Sequence, residues 1–329
     1  MNQLEMNFKK EDDLIEIEDP TLEVCFSPYV SEARINELIQ AFILAQDVRQ
    51  SSKNTYQRTL KQYFAWINRK KYDLSQVARP QILEFKTDLL NSGLSALTVG
   101  SYISSVRRFY EWCESEKIYL NVAKGVKSPK RQNKFKRHGL TPEQSQKLLT
   151  YFQSKSARDF AIINLLLRTG IRTIELIRAD VSDITLMSGQ RVLNVKGKGK
   201  DDKDAFVCLT DKTYLAIRQY LQLRGKVRIG DPLFISDSNN SRGQRLTTKT
   251  ISFTVKEGLR VIGLDGHEFT AHSLRHTTAE TILRAGGTIQ DAQGVLRHSS
   301  SVTTQIYIQS LADETRLKNP AERLIDLMF

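Results

Sequence analysis

The chain has 329 residues, 40% of them hydrophobic, with Lys+Arg 49 against Asp+Glu 37. That length fits two domains, no apolar run approaches the roughly 20 residues of a membrane helix, and the N-terminal MNQLEMNFKKEDDLIEIED has no apolar secretion core. The net charge is +12, yet the first 23 residues hold eight acids and two bases, so the rest of the chain is +18 and suits a polyanionic partner such as nucleic acid. Cys25, Cys113 and Cys208 are far apart, fit neither a disulfide framework nor a zinc site, and are consistent with a reducing cytoplasm.

Residues 1–30 read as an acidic, flexible N-terminal extension. Helical periodicity begins with RINELIQAFILAQ. In SSKNTYQRTLKQYFAWINRKK, residues Tyr56, Leu60, Tyr63, Phe64 and Ile67 form one apolar stripe, opposite a basic face of Lys53, Arg58 and Lys61. PQILEFKTDLLNSG predicts a third helix, with Pro80 near its start and Gly93 at its stop. LTVGSYISSVRRFYEWCESEK predicts a fourth. Residues 31–122 thus form an all-helical domain. The next segment, NVAKGVKSPKRQNKFKRHG, carries seven Lys/Arg and no acid across 121–139, and residues 123–139 read as a basic linker. The second domain spans 140–329. It opens on Thr141-Pro142-Glu143-Gln144, an N-cap, a proline at the first helical position and a capping-box glutamine. ARDFAIINLLLRTG predicts a core helix ending at Gly170, and IRTIELIRADVSDI predicts another helix immediately after it. QRVLNVKGKGKDDKDAFVCLT reads as two strands around a charged turn. DKTYLAIRQYLQLRG is helical, 231–250 is turn-rich, and helices dominate the remainder.

Several polar residues in this second domain have chemical potential. Arg172 follows Gly170 closely, and Glu175 lies one turn on at i+3, where it can hold the guanidinium. A planar guanidinium makes a good anion fork. Lys196, Lys198 and Lys200 alternate with glycines near a hairpin tip, and on a strand they would share one face; a lysine there can reach a phosphate or donate a proton. In GHEFTAHSLRHTTAETILRAGG, His272 and Arg275 share one helix face near an N-terminus, with His276 nearby. His298 and Tyr307 lie nine residues apart in HSSSVTTQIY. Tyrosine, with an ordinary pKa of about 10, is a poor nucleophile unless surrounding cations favour its phenolate. No His, Cys or carboxylate group has metal-ligand spacing, and no phosphate-binding glycine loop of the G-x-x-x-x-G-K-[ST] type is present. Such a set suits phosphoryl transfer through a covalent phosphotyrosine, with cations stabilising the transition state.

Taken in order, TGIRTIEL, VKGKGK, AHSLRH and LRHSSSVTTQIY resemble the tyrosine recombinase family of phage integrases and Xer recombinases. Each motif is modest alone; together, in this order and spacing, they are specific. The resemblance spans roughly residues 35–310 and takes in the helical segments upstream. It implies a mainly α fold with a small β-sheet: a helical SAM-like core-binding domain plus an α+β tyrosine recombinase catalytic domain. It implies Tyr307 as nucleophile, Arg172 and Arg275 as clamps on the non-bridging oxygens, Lys198 as proton donor to the leaving oxygen (with Lys196 or Lys200 as alternatives), His272 as acid/base and His298 as a hydrogen-bonding assistant. Lys53, Arg58, Arg107, Lys127, Lys130 and Arg131 are the candidate DNA-binding residues.

The implied partner is a double-stranded DNA recombination site, bound by a homotetramer across two sites and by a monomer or weak dimer when the protein is free. An accessory directionality factor is a further candidate partner. No cofactor, metal or membrane is implied, and the location is cytoplasmic, associated with the nucleoid. A type IB topoisomerase shares the covalent chemistry, but the helical N-terminal domain and short catalytic domain favour a recombinase. Three departures from the family pattern stand out. Arg297 occupies a position where glycine is usual, and either adds a phosphate contact or perturbs the turn. Val122 replaces a proline. The hairpin is long.

Overall fold

The computed structural model describes residues 32–130, 139–197 and 202–297, together with Leu317, Pro320, Arg323, Asp326 and Met328. The chain divides into two compact units, Met1–Asn133 and Lys134–Phe329.

The first unit is built from α1 (Glu32–Ala45), α2 (Gln50–Lys70), α3 (Arg79–Asn91) and α4 (Ala96–Ser115). The sequence stripe of α2 is its buried face: Leu60, Tyr63, Phe64 and Ile67 are all inside. The helix stops at Lys71, which turns left-handed and returns its N–H to Asn68 and Ile67. The α3 helix starts with Pro80 in its first turn, where a missing N–H costs nothing. Ser95 caps α4 by accepting the Thr98 N–H at 3.2 Å. Apolar residues at helical spacing in α4, from Val99 through Ile103 and Val106 to Phe109 and Tyr110, meet the stripe of α2. The resulting core is rich in aromatic rings packed edge to face, such as Phe64 on Phe109 at 5.4 Å and Tyr63 on Phe85 at 5.0 Å. The two buried phenols, Tyr63 and Tyr110, satisfy each other across 2.8 Å.

The second unit comprises α5 (Pro142–Lys155), α6 (Ala157–Thr169), α7 (Thr173–Arg178), β1 (Ile184–Met187), β2 (Gln190–Val195), β3 (Ala205–Cys208), α8 (Asp211–Arg224), α9 (Thr248–Val261), α10 (Ala271–Arg284) and α11 (Ile289–Leu296). The α5 start is the capping box read from the sequence: Thr141 Oγ1 accepts the Gln144 N–H, and Gln144 returns a bond to the Thr141 N–H at 2.9 Å. The apolar α6 is central, with α5, α8 and α10 packed around it. Gly170 ends it at φ +57, and a β-carbon there would sit 2.5 Å from Leu296 Cδ2, so both the turn and the approach of α11 require glycine.

Residues 184–208 form a three-stranded antiparallel sheet in the order β1-β2-β3. The sequence reading expected two strands and carried the helix after Gly170 through Ile184. Instead α7 ends at Arg178, and Ile184 opens β1. The β1–β2 turn is Ser188-Gly189, both at positive φ (49 and 77), as the right-handed twist of a two-residue hairpin demands. Most of β1 is exposed, so it shows no alternation that a period-2 reading can detect. Among the described residues no helix is long and apolar enough to cross a membrane.

Candidate active site

A concavity of ≈ 330 Å³ in the second unit is lined by Ile171, Arg172, Thr173 and Ile174 at the start of α7, by Thr270, Ala271, His272 and Arg275 at the start of α10, and by Ser252 of α9. Three of the residues singled out in the sequence, Arg172, His272 and Arg275, thus share one cavity although about a hundred positions separate the first from the others. Ser252 and Thr270 had no signal in the sequence, because isolated hydroxyls in helices and caps are common.

Glu175 fixes Arg172. Its carboxylate is 1% exposed, and its Oε1 accepts from Arg172 Nη1 at 2.8 Å while Oε2 accepts the Arg172 backbone N–H at 2.9 Å. One side chain therefore caps α7 and aims the guanidinium. Oε2 also accepts from Arg297 Nη2 at 2.7 Å. Burial pushes the Glu175 carboxyl up, but the Arg297 charge, the Arg172 N–H and the Arg172 guanidinium together outweigh it and hold the group below the usual carboxylate range. Arg172 itself stays 32% exposed at the cavity, with a charged head ready for an anion.

Arg275 is positioned differently. It is 2% exposed, and its guanidinium donates Nη1 to the Gly170 carbonyl and Nη2 to the Leu296 carbonyl. It thus joins the end of α6 and the end of α11 while lining the cavity. His272, three residues earlier on α10, is exposed. Both residues line the cavity, as their i, i+3 spacing suggested, but Arg275 is buried and His272 exposed. The His272 ring meets that of His276 edge to face at 4.9 Å.

The lysine-bearing hairpin is anchored at both feet. Arg178 Nη1 donates to the Gly197 carbonyl at 3.3 Å. Lys203 bonds Asp180 at 2.8 Å and Asp183 at 2.6 Å. Strand β2 stops at Val195, so Lys196 lies beyond it rather than on the strand face that the alternation suggested. Lys198, Lys200, His298, Tyr307 and Arg131 lie outside the described residues.

In the first unit, Arg107 lines a second concavity of ≈ 460 Å³ with Ser52, Thr55, Ser101, Ser104 and Ser128 among its walls. Its Nη1 donates to the Val126 carbonyl at 3.4 Å. Lys53 follows the lining residue Ser52 and is half-buried, whereas Arg58, Lys127 and Lys130 are exposed and outside that cavity.

The profile of the phage integrase family matches residues 138–314, and that of the phage integrase N-terminal SAM-like domain matches residues 35–117. The tyrosine recombinase XerD of Proteus mirabilis is 28% identical over 282 residues, covering 83% of this chain and 87% of that protein. The tyrosine recombinase XerC of Thermodesulfovibrio yellowstonii is 32% identical over 261 residues, covering 77% and 83%. Among solved structures, the XerH recombinase in a post-cleavage complex with a palindromic difH substrate aligns with a TM-score of 0.70 at 20% identity, over 94% of this chain and 99% of that one. A lambda integrase dimer bound to a COC′ core site aligns with a TM-score of 0.64 at 17% identity, over 84% and 77%. The two structural likenesses carry the fold.

Proposed function

Because this chain belongs to the phage integrase family and is a tyrosine-type site-specific recombinase, we propose that its second unit cleaves and rejoins DNA at the cavity between the starts of α7 and α10. The supporting observation is the convergence of Arg172, His272 and Arg275 on that cavity. In this reading Arg172 and Arg275 take the non-bridging oxygens of the scissile phosphate, and their charges offset the negative charge that builds in the pentacovalent transition state. The Tyr307 oxygen attacks phosphorus, the P–O5′ bond breaks, and Lys198 gives its proton to the departing 5′-oxygen. His272 exchanges the nucleophile's proton, and His298 supports the site by hydrogen bonding.

The product is a 3′-phosphotyrosyl bond and a free 5′-hydroxyl. Attack by the 5′-hydroxyl of a partner strand returns the phenol and restores a phosphodiester. One P–O bond is exchanged for another in each step, so the energy of the diester is kept and no ATP is consumed. Two such rounds pass through a Holliday junction.

The partners in this proposal are a double-stranded DNA site and three further copies of this chain on two sites, with an accessory factor setting direction. Arg107 and Lys53 of the first unit face the phosphate backbone. The test is a nicked suicide substrate carrying the chain's own site, followed by denaturing electrophoresis. Wild type is expected to form a covalent protein–DNA adduct and Tyr307→Phe none. Equal adduct from both would overturn the assignment of the nucleophile. Recombinant products between paired sites, rather than relaxation of site-free supercoiled DNA, are expected from the active protein.

A further inference from the structure

Arg297 stands at the C-terminal cap of α11 with φ 54 and ψ 48. That left-handed conformation suits glycine, and an L side chain there is strained. The side chain is nevertheless well placed. It is 14% exposed, its Nη2 bonds Glu175 Oε2 at 2.7 Å, and its Nη1 bonds the Val295 carbonyl at 2.9 Å. The same Glu175 carboxylate holds Arg172 by side chain and backbone. Arg297 is not among the residues that line the cavity. A second guanidinium has thus been placed behind the carboxylate that aims the first.

We propose that Arg297 is a positioning residue for strand cleavage: by bonding Glu175 it fixes the carboxylate that orients Arg172, and it ties the end of α11 to the start of α7 without touching DNA. The proposal rests on the cleavage reading above. Two features favour positioning over a phosphate contact. Its Nη1 and Nη2 are engaged by Val295 and Glu175, and unlike Arg275, whose two Nη atoms are likewise engaged, Arg297 is not among the residues that line the cavity. Burial pulls its pKa down against the upward pull of Glu175, so the group is held in a poorly solvated place where a free charge would not rest without that carboxylate. Without Arg297, Glu175 Oε2 keeps only the Arg172 backbone N–H, and the Glu175–Arg172 pair loses its outer brace.

The test measures single-turnover adduct formation on a nicked substrate over a range of DNA concentrations, for wild type, Arg297→Gly, Arg297→Lys and Glu175→Gln. Arg297→Gly relieves the backbone while removing the brace. It is expected to lower the maximal rate by roughly tenfold to a hundredfold, the scale of a small misplacement of a catalytic group, with the half-saturating DNA concentration and its salt dependence unchanged. Arg297→Lys is expected to recover part of the rate. A wild-type rate in Arg297→Gly, or a loss confined to DNA affinity, would overturn the proposal. Absence of a Tyr307-dependent adduct in wild type would instead defeat the cleavage reading. The coupling between Arg297→Gly and Glu175→Gln in thermal unfolding then decides the brace: non-additive shifts support it, and additive ones refute it.

Discussion

Each unit buries polar groups, and they do so to different ends. In the first, Tyr63 and Tyr110 face each other inside an aromatic core. Burial is the main force raising both phenols above their ordinary value. The pair is neutral, closed on itself and aimed at nothing. In the second, Glu175 is as deeply buried but charged, and it is bracketed by two guanidiniums, one of which reaches the cavity. A neutral pair completes a core at little electrostatic cost, whereas a buried ion needs partners on every side. The second unit accepts that burden, and gains an arginine with a fixed direction.

The largest expected break in this contrast is Arg275→Ala. In the proposed function it removes a clamp on the transition state, so adduct formation is expected to fall roughly 100- to 1000-fold. It also strips the Gly170 and Leu296 carbonyls of their donor, for a loss of about 2–3 kcal/mol in chemical denaturation. Next is Glu175→Gln, which leaves two guanidiniums around a neutral amide and is expected to cost about 3–5 kcal/mol. Its pH dependence sharpens the comparison. The folded carboxyl titrates below its unfolded value, so its stabilisation is complete above about pH 4.3 and is lost as pH falls through the lower folded value. The stability gap between wild type and Glu175→Gln should therefore be flat from neutrality down to about pH 5 and close in more acid solution. A gap that persists unchanged in acid would contradict the charged role of Glu175.

Tyr63→Phe is expected to cost about 1–2 kcal/mol, because it leaves the Tyr110 hydroxyl buried without its partner. The double change Tyr63→Phe with Tyr110→Phe should recover most of that loss, and adduct formation should match wild type in both. The smallest effect is assigned to Lys70→Ala. Lys70 bridges Glu84 and Asp88 at 2.7 and 2.9 Å, but all three side chains are about a third exposed, so the melting temperature should barely move.

The helices of both units were legible because their signals are local. Thr141 and Gln144 announce a helix start within four residues, Gly170 marks a stop, and the stripe of α2 repeats at helical spacing. The Arg172–Glu175 pair was legible for the same reason, being separated by a single turn. Strand β1 was not, since Leu186 and Met187 face solvent and the edge strand lacks alternation. The length of α7 was overestimated because IRADVSDI continues to look helical, whereas Asp180 and Asp183 turn to receive Lys203. The role of Arg297 was invisible for a different reason. Its partner is 122 positions away, and no local pattern encodes a contact over that distance. From sequence it could be flagged only as a residue in a glycine's place that either adds a phosphate contact or perturbs the turn.

The anchored feet of the β2–β3 hairpin have an evolutionary consequence. Gly197 is fastened from α7, and Lys203 from the two aspartates that follow it. Neither fastening depends on what lies between them, and lengthening a loop between fixed ends costs chain entropy only logarithmically. The pairing of Val192 with Cys208 and of Val195 with Ala205 is therefore held from outside the interval 198–202, and its register does not rest on the length of that interval. A change in length there would leave the sheet as it is, so the chain can lengthen or shorten around position 198 without retuning the rest of the unit.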